Sequence, residues 1–127
     1  IMAHGMFDQS LLQISQTVRT GGAQWFAEVV ATFGLVGTIL AGLRFREPAI
    51  PWLVGLYITA AYWFTASTSF ANPAVAIGRA FTDTFSGIRP IDLPGFILAQ
   101  GVGSVIAVLL FGWLLRAQYD AETTPAE

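Results

Sequence analysis

The chain has no cysteine and no lysine, a single histidine, and few charges of either sign: six arginines against eight acidic residues in 127 positions, or 11% of the chain. Without cysteine there is no disulfide framework, thiolate metal site or cysteine nucleophile. The single histidine, His4, reads as a loop or helix-end residue rather than a metal ligand. A net charge of −2 leaves no basic face for nucleic acid. What fills the space is apolar: 54% of the residues are hydrophobic, and the mean hydropathy is +0.62. Soluble domains carry about 25% charged residues, and a chain this short leaves much of its surface outside any core. The solvent that suits such a surface is lipid.

A helix needs about 20 mostly apolar residues to cross the hydrocarbon. Three stretches meet that need: about 23–43, which follows the Thr20-Gly21-Gly22 breaker and closes at Arg44, Arg46 and Pro48; about 49–66; and about 93–115, ending at Arg116. Residues 1–22 read as the end of a preceding span plus a loop. The opening, Ile1 to Phe7, has neither the basic start nor the apolar core of a signal peptide and is expected to be the end of an apolar segment cut short, so that the chain is part of a longer protein. Residues 117–127 read as a polar, disordered cytoplasmic tail. Arginines divide three against three between the two ends of the spans, so charge bias does not fix orientation.

Between the second and third spans lies a stretch, Ser67 to Pro90, that is half polar. Within it, Asn72-Pro73-Ala74 is a helix start. Asparagine is a strong N-cap, and proline suits the first helical position, where its missing N–H has no intrahelical role. The helix is expected to run over 73–85 and stop at Ser86-Gly87. That is too short to span, so it reads as a re-entrant half-helix. Irregular backbone at membrane depth is tolerated only where protein buries it or a wet cavity lies beside it, which makes the stretch a pore candidate. Arg79 and Asp83, four apart on that helix, are expected to pair.

Asn72-Pro73-Ala74 between a penultimate and a last span resembles the signature of the aquaporin (major intrinsic protein) channels. Ala27-Glu28 with Thr32-Phe33-Gly34 resembles that family's fourth span, Gly55-Leu56-Tyr57 opens its fifth, and Gly95 to Gly112 is similar to its sixth, with Ala99, Gly101 and Gly103 allowing close helix approach. The resemblance covers residues 1 to 116. It implies an all-α integral membrane fold: the second of two inverted half-repeats, with three transmembrane helices and one re-entrant half-helix. It also implies a missing N-terminal half-repeat, a homotetramer in the inner cell membrane, passive passage of small neutral solutes, and no cofactor.

The implied pore residues are Asn72, whose amide donates to a passing oxygen, Pro73, which fixes the turn, and Ala74, small enough for two half-helices to touch. Glu28 is implied to accept hydrogen bonds from the re-entrant loop; the alternative is an interfacial carboxylate. Most family members place arginine directly after this tripeptide, and here Val75 stands there. Further filter positions are Ser69 and, on the second span, either Tyr62 or Ala60. Valine at this position, with the run Tyr57 to Phe64, resembles the bacterial aquaglyceroporin-like branch associated with arsenic resistance. That implies polyols such as glycerol, metalloid hydroxides such as arsenous acid, and water as solutes. The alternatives are a water-selective channel narrowed by Tyr62 and a chain inactive without its other half. A coupled transporter lacks midplane ionisable groups beyond Glu28, and an enzyme lacks a catalytic inventory.

Overall fold

A computed structural model describes residues 1–123; the remainder of the expected polar tail, 124–127, lies outside the described residues. The described chain is helical, with α1 (Met2–Met6), α2 (Gly22–Phe45), α3 (Ile50–Phe64), α4 (Pro73–Arg79) and α5 (Leu93–Thr123), and short 3₁₀ turns at Glu47–Ala49 and Pro90–Asp92. At the start of α2, Gly21 takes φ 110°, a conformation open to glycine, so the breaker read in the sequence is where the chain turns into the helix.

Two helices among the described residues are long and apolar enough to cross a membrane: α2, and the stretch Pro90–Arg116 that contains most of α5. At 1.5 Å per residue they reach about 36 Å and about 40 Å. Only 28% and 22% of their apolar windows are buried within the chain. A helix at the centre of a soluble protein is mostly enclosed, so these faces match lipid or further helices rather than water.

The remaining expected elements differ in extent. Helix α3 has 15 residues, short of the expected 49–66, because proline-bearing 3₁₀ backbone precedes it and Thr65 ends it. There the Thr65 hydroxyl and N–H both donate to the Ala61 carbonyl while its backbone turns extended. Helix α5 continues past Arg116 to Thr123, so residues 117–123 are helical rather than a disordered tail. Alanine and glutamate in that stretch favour helix.

Helices α2 and α5 form the main interface, and α3 packs on α2. The close approach of α2 and α5 falls at Gly103, where an added Cβ would stand 2.4 Å from the Val29 carbonyl oxygen and 3.1 Å from the Phe33 nitrogen. Ala99 is also buried, whereas Gly101 faces open space within this chain. Beneath α4 the core gathers Phe70, Ala76, Ala80, Ile88 and Phe96, with Leu93 against it.

Candidate functional site

The site is built around the seven residues of α4. Asn72 is its N-cap, with φ −160° and ψ 124°, and its Oδ1 accepts from the Ala74 N–H at 2.8 Å. That bond fixes the side-chain amide, leaving its NH₂ as the outward group, a donor. Asn72, Pro73, Ala74 and Val75 are all exposed, Val75 to 39%. The first turn therefore presents an uncharged rim.

Loss of the cap and loss of the donor are separable. Asn72→Ala is expected to destabilise the fold by about 1 kcal/mol. Asn72→Asp, which keeps the capping oxygen but removes the donor, is expected to stay within about 0.5 kcal/mol of native. Thermal unfolding in detergent measures both; equal losses would mean the cap is not what Asn72 contributes.

The chain enters α4 through a conformation that ordinary residues avoid. Thr68, Ser69 and Ala71 all have positive φ, at 61°, 49° and 48°. Left-handed backbone costs an L-residue about 1–2 kcal/mol, and a β-branched threonine is an outlier there. The partners that hold it are specific. Glu28, fully buried on the second turn of α2, accepts from the Phe70 N–H (2.9 Å) and the Ala71 N–H (3.0 Å). The Gln100 amide of α5 donates to the same carboxylate at 2.7 Å. One carboxylate thus links α2, α5 and the loop, and charge-assisted bonds of this kind are about twice as strong as neutral ones.

A second support comes from the stretch before α2. Arg19, 5% exposed, donates through Nε to the Gly87 carbonyl (2.6 Å) and through its two terminal nitrogens to the carbonyls of Ser67 (3.0 Å) and Phe85 (2.7 Å). Its guanidinium lies 5.0 Å from the Phe70 ring centroid. Burial pushes the Arg19 pKa below its ordinary value; Glu28 and Tyr62 oppose that shift, and Arg79 adds to it. The Arg19 N–H is held by Asp92, which also pairs with Arg89 at 3.1 Å.

Helix α4 ends at Arg79, not at residue 85. Residues 13–17 run beside the chain that follows and claim its backbone. Ser15 donates to the Ala80 carbonyl, Gln13 accepts from the Asp83 N–H, and the Thr17 hydroxyl donates to the Thr84 carbonyl. Asp83 consequently sits outside the helix and accepts from the Gln16 N–H, so the expected Arg79–Asp83 pair does not form. Arg79 instead donates to the Ser86 hydroxyl. His4 is buried at α1, with Nδ1 toward the Leu11 carbonyl and Nε2 toward the Thr82 hydroxyl.

The other expected filter residues are dispersed. Ser69 is buried, and its hydroxyl has no hydrogen-bond partner among the described residues. Tyr62 is half-buried near the end of α3, edge-on to Phe85 at 6.0 Å, whereas Ala60 is exposed on the same helix. Two contributors went unread in the sequence. Gln100 could have been found as a lone amide in an apolar run, a costly position in lipid. Arg19 entered only as one charge in the orientation count.

The site is thus a short asparagine-capped helix held by a buried carboxylate against long apolar helices, the arrangement of a protein built into a membrane. The chain is 63% identical over 130 residues to aquaglyceroporin AqpS of Rhizobium meliloti (strain 1021), an alignment that takes in 98% of this chain and 56% of that protein. The chain is thus homologous to an aquaglyceroporin, is embedded in the membrane with more than one pass, and spans about half the length of the curated relative it matches. No family model matches it, and no solved structure does.

Proposed function

We propose that this chain is the second half-repeat of a passive channel for small uncharged solutes, with α4 as its re-entrant half-helix and α3 as a third span. The supporting observation is the first turn of α4, where the outward amide of Asn72 stands beside the exposed, uncharged Val75. The amide gives a passing hydroxyl one donor to align on. Valine offers neither charge nor donors and leaves room where an arginine would narrow the path. Glycerol-like polyols and arsenous acid, which is neutral at pH 7, suit such an opening, as does water. Electrostatics favour the same class: the half-helix turns its N-terminus toward the opening, which disfavours cations.

A complete pore needs a second half-repeat from outside this chain, and the exposed faces of α2 and α5 supply apolar surface for it and for lipid. In this reading the assembly is a homotetramer in the inner cell membrane with one pore per protomer. The activity is conduction rather than catalysis.

The test is stopped-flow light scattering of proteoliposomes holding the full-length channel under water, glycerol and arsenous-acid gradients. Val75→Arg is expected to reduce glycerol and arsenous-acid entry by about a hundredfold while water flow persists, since the added bulk and charge narrow and polarise the path, and a misfit of a methylene or more in a site discriminates by about 10–200-fold. If the native protein passes water alone, the water-selective alternative narrowed by Tyr62 replaces this one. If arginine changes nothing, Val75 is not at the constriction.

A further inference from the structure

We propose that Arg19 is a positioning residue for the selectivity of this pore: by tying both arms of the loop that carries α4 to the chain before α2, it sets the aperture beside Tyr62. The inference rests on the channel reading above.

Its basis is the placement of three donations. Ser67 stands on the arm entering α4, and Phe85 and Gly87 stand on the arm leaving it. One guanidinium therefore bridges segments 18 and 20 residues apart in sequence, with its planar fork fixing their separation and angle. In the channel reading each arm leads to a pore residue, Asn72 on one side and Tyr62 on the other. The entering arm continues through Ser69 and the left-handed Ala71 to Asn72. On the leaving arm, the Phe85 carbonyl is held by Arg19 while its ring stands edge-on to Tyr62. Under the guanidinium, the Phe70 ring is fixed in the core below α4. Arg19 is itself anchored, because its N–H is bound by Asp92 and Asp92 by Arg89.

A purely structural arginine would affect how much channel folds, not which solutes pass. Lysine keeps the charge, but its single ammonium cannot reach three carbonyls with the geometry of a planar fork. The experiment uses the full-length channel in proteoliposomes and a series of uncharged polyols of rising size, glycerol, erythritol and xylitol. The readout is the erythritol-to-glycerol permeability ratio, which is independent of the number of active channels. Arg19→Lys and Arg19→Gln are both expected to move that ratio by about threefold to tenfold, since one methylene of misfit in a pocket discriminates by about tenfold at the low end.

Phe85→Ala keeps the carbonyl that Arg19 holds and removes the ring against Tyr62, so it is expected to move the ratio as well; it remains informative if the Arg19 variants fail to fold. An unmoved ratio in the variants that fold, with native glycerol passage intact, overturns the inference and leaves the channel reading standing. Recovery of the native ratio by lysine overturns it too, because a bare charge would then suffice. Absence of polyol passage in the native protein overturns the channel reading and this inference with it.

Discussion

Glu28→Ala is expected to lower the stability of the full-length protein by about 3–5 kcal/mol, since the change strands two buried backbone N–H groups and one amide that now share a carboxylate. The carboxylate is fully buried, and its three donors come from Phe70, Ala71 and Gln100. In a protein of the relative's size, a loss of that order moves the thermal midpoint by roughly 10 °C. Under the proposed channel function, conduction is expected to fall further than stability, because the left-handed run at Thr68, Ser69 and Ala71 loses the acceptor that offsets its strain. Glu28→Gln keeps one acceptor oxygen but turns an NH₂ toward groups that are themselves donors. Its expected cost is smaller, about 1–3 kcal/mol. A thermal melt in detergent, followed by the glycerol assay, separates the two variants. Native melting of Glu28→Ala would mean that the carboxylate is not what holds the loop.

Gly103→Val is the second large effect. A Cβ there would meet backbone on the facing helix, 2.4 Å from the Val29 carbonyl and 3.1 Å from the Phe33 nitrogen. Backbone cannot rotate aside as a side chain does, so α2 and α5 must separate along their shared interface. Overpacking ordinarily costs about 1–3 kcal/mol, and a contact with main chain places this case at or above the upper end. Gly103→Ala is expected to show a smaller loss in the same direction. Size-exclusion profiles and melting midpoints of the two variants, compared with native, give the order. A Gly103→Val protein that melts with the native would show that the two helices have slack at this crossing.

The parts of this molecule that were legible in the sequence are those decided locally. The two long apolar helices follow from runs of residues whose only good solvent is lipid, and the start of α4 follows from asparagine's capping oxygen and proline's missing N–H. The end of α4 was not legible. Nothing in Ala80 to Phe85 forbids helix; those residues leave it because Ser15, Gln13 and Thr17, more than sixty positions earlier, take their backbone groups. The Arg79–Asp83 expectation failed for the same reason, since i,i+4 pairing presupposes a helix that continues. The extent of α3 turned on Thr65, whose side chain competes for the Ala61 carbonyl. Arg19 was invisible as a site because its partners are carbonyl oxygens, which every residue carries and no motif records.

The alignment of residues 13–19 with the chain around α4 bears on the order in which the molecule assembles. Its bonds join the stretch before α2 to residues 80–92: Ser15 to Ala80, Thr17 to Arg89, and Arg19 to Asp92. Those partners meet only after α2 has carried the chain away and α3 has carried it back to the same end. During synthesis this early stretch must therefore wait, unpaired, through the emergence of two helices, and the loop-closure entropy of those distant contacts falls due late. Helix α4, too short to be stable alone, has no firm seat until then. The segment that carries α4 is thus set late, after α2 and α3 have already formed, and its carboxylate support is complete only once α5 has brought Gln100 to Glu28.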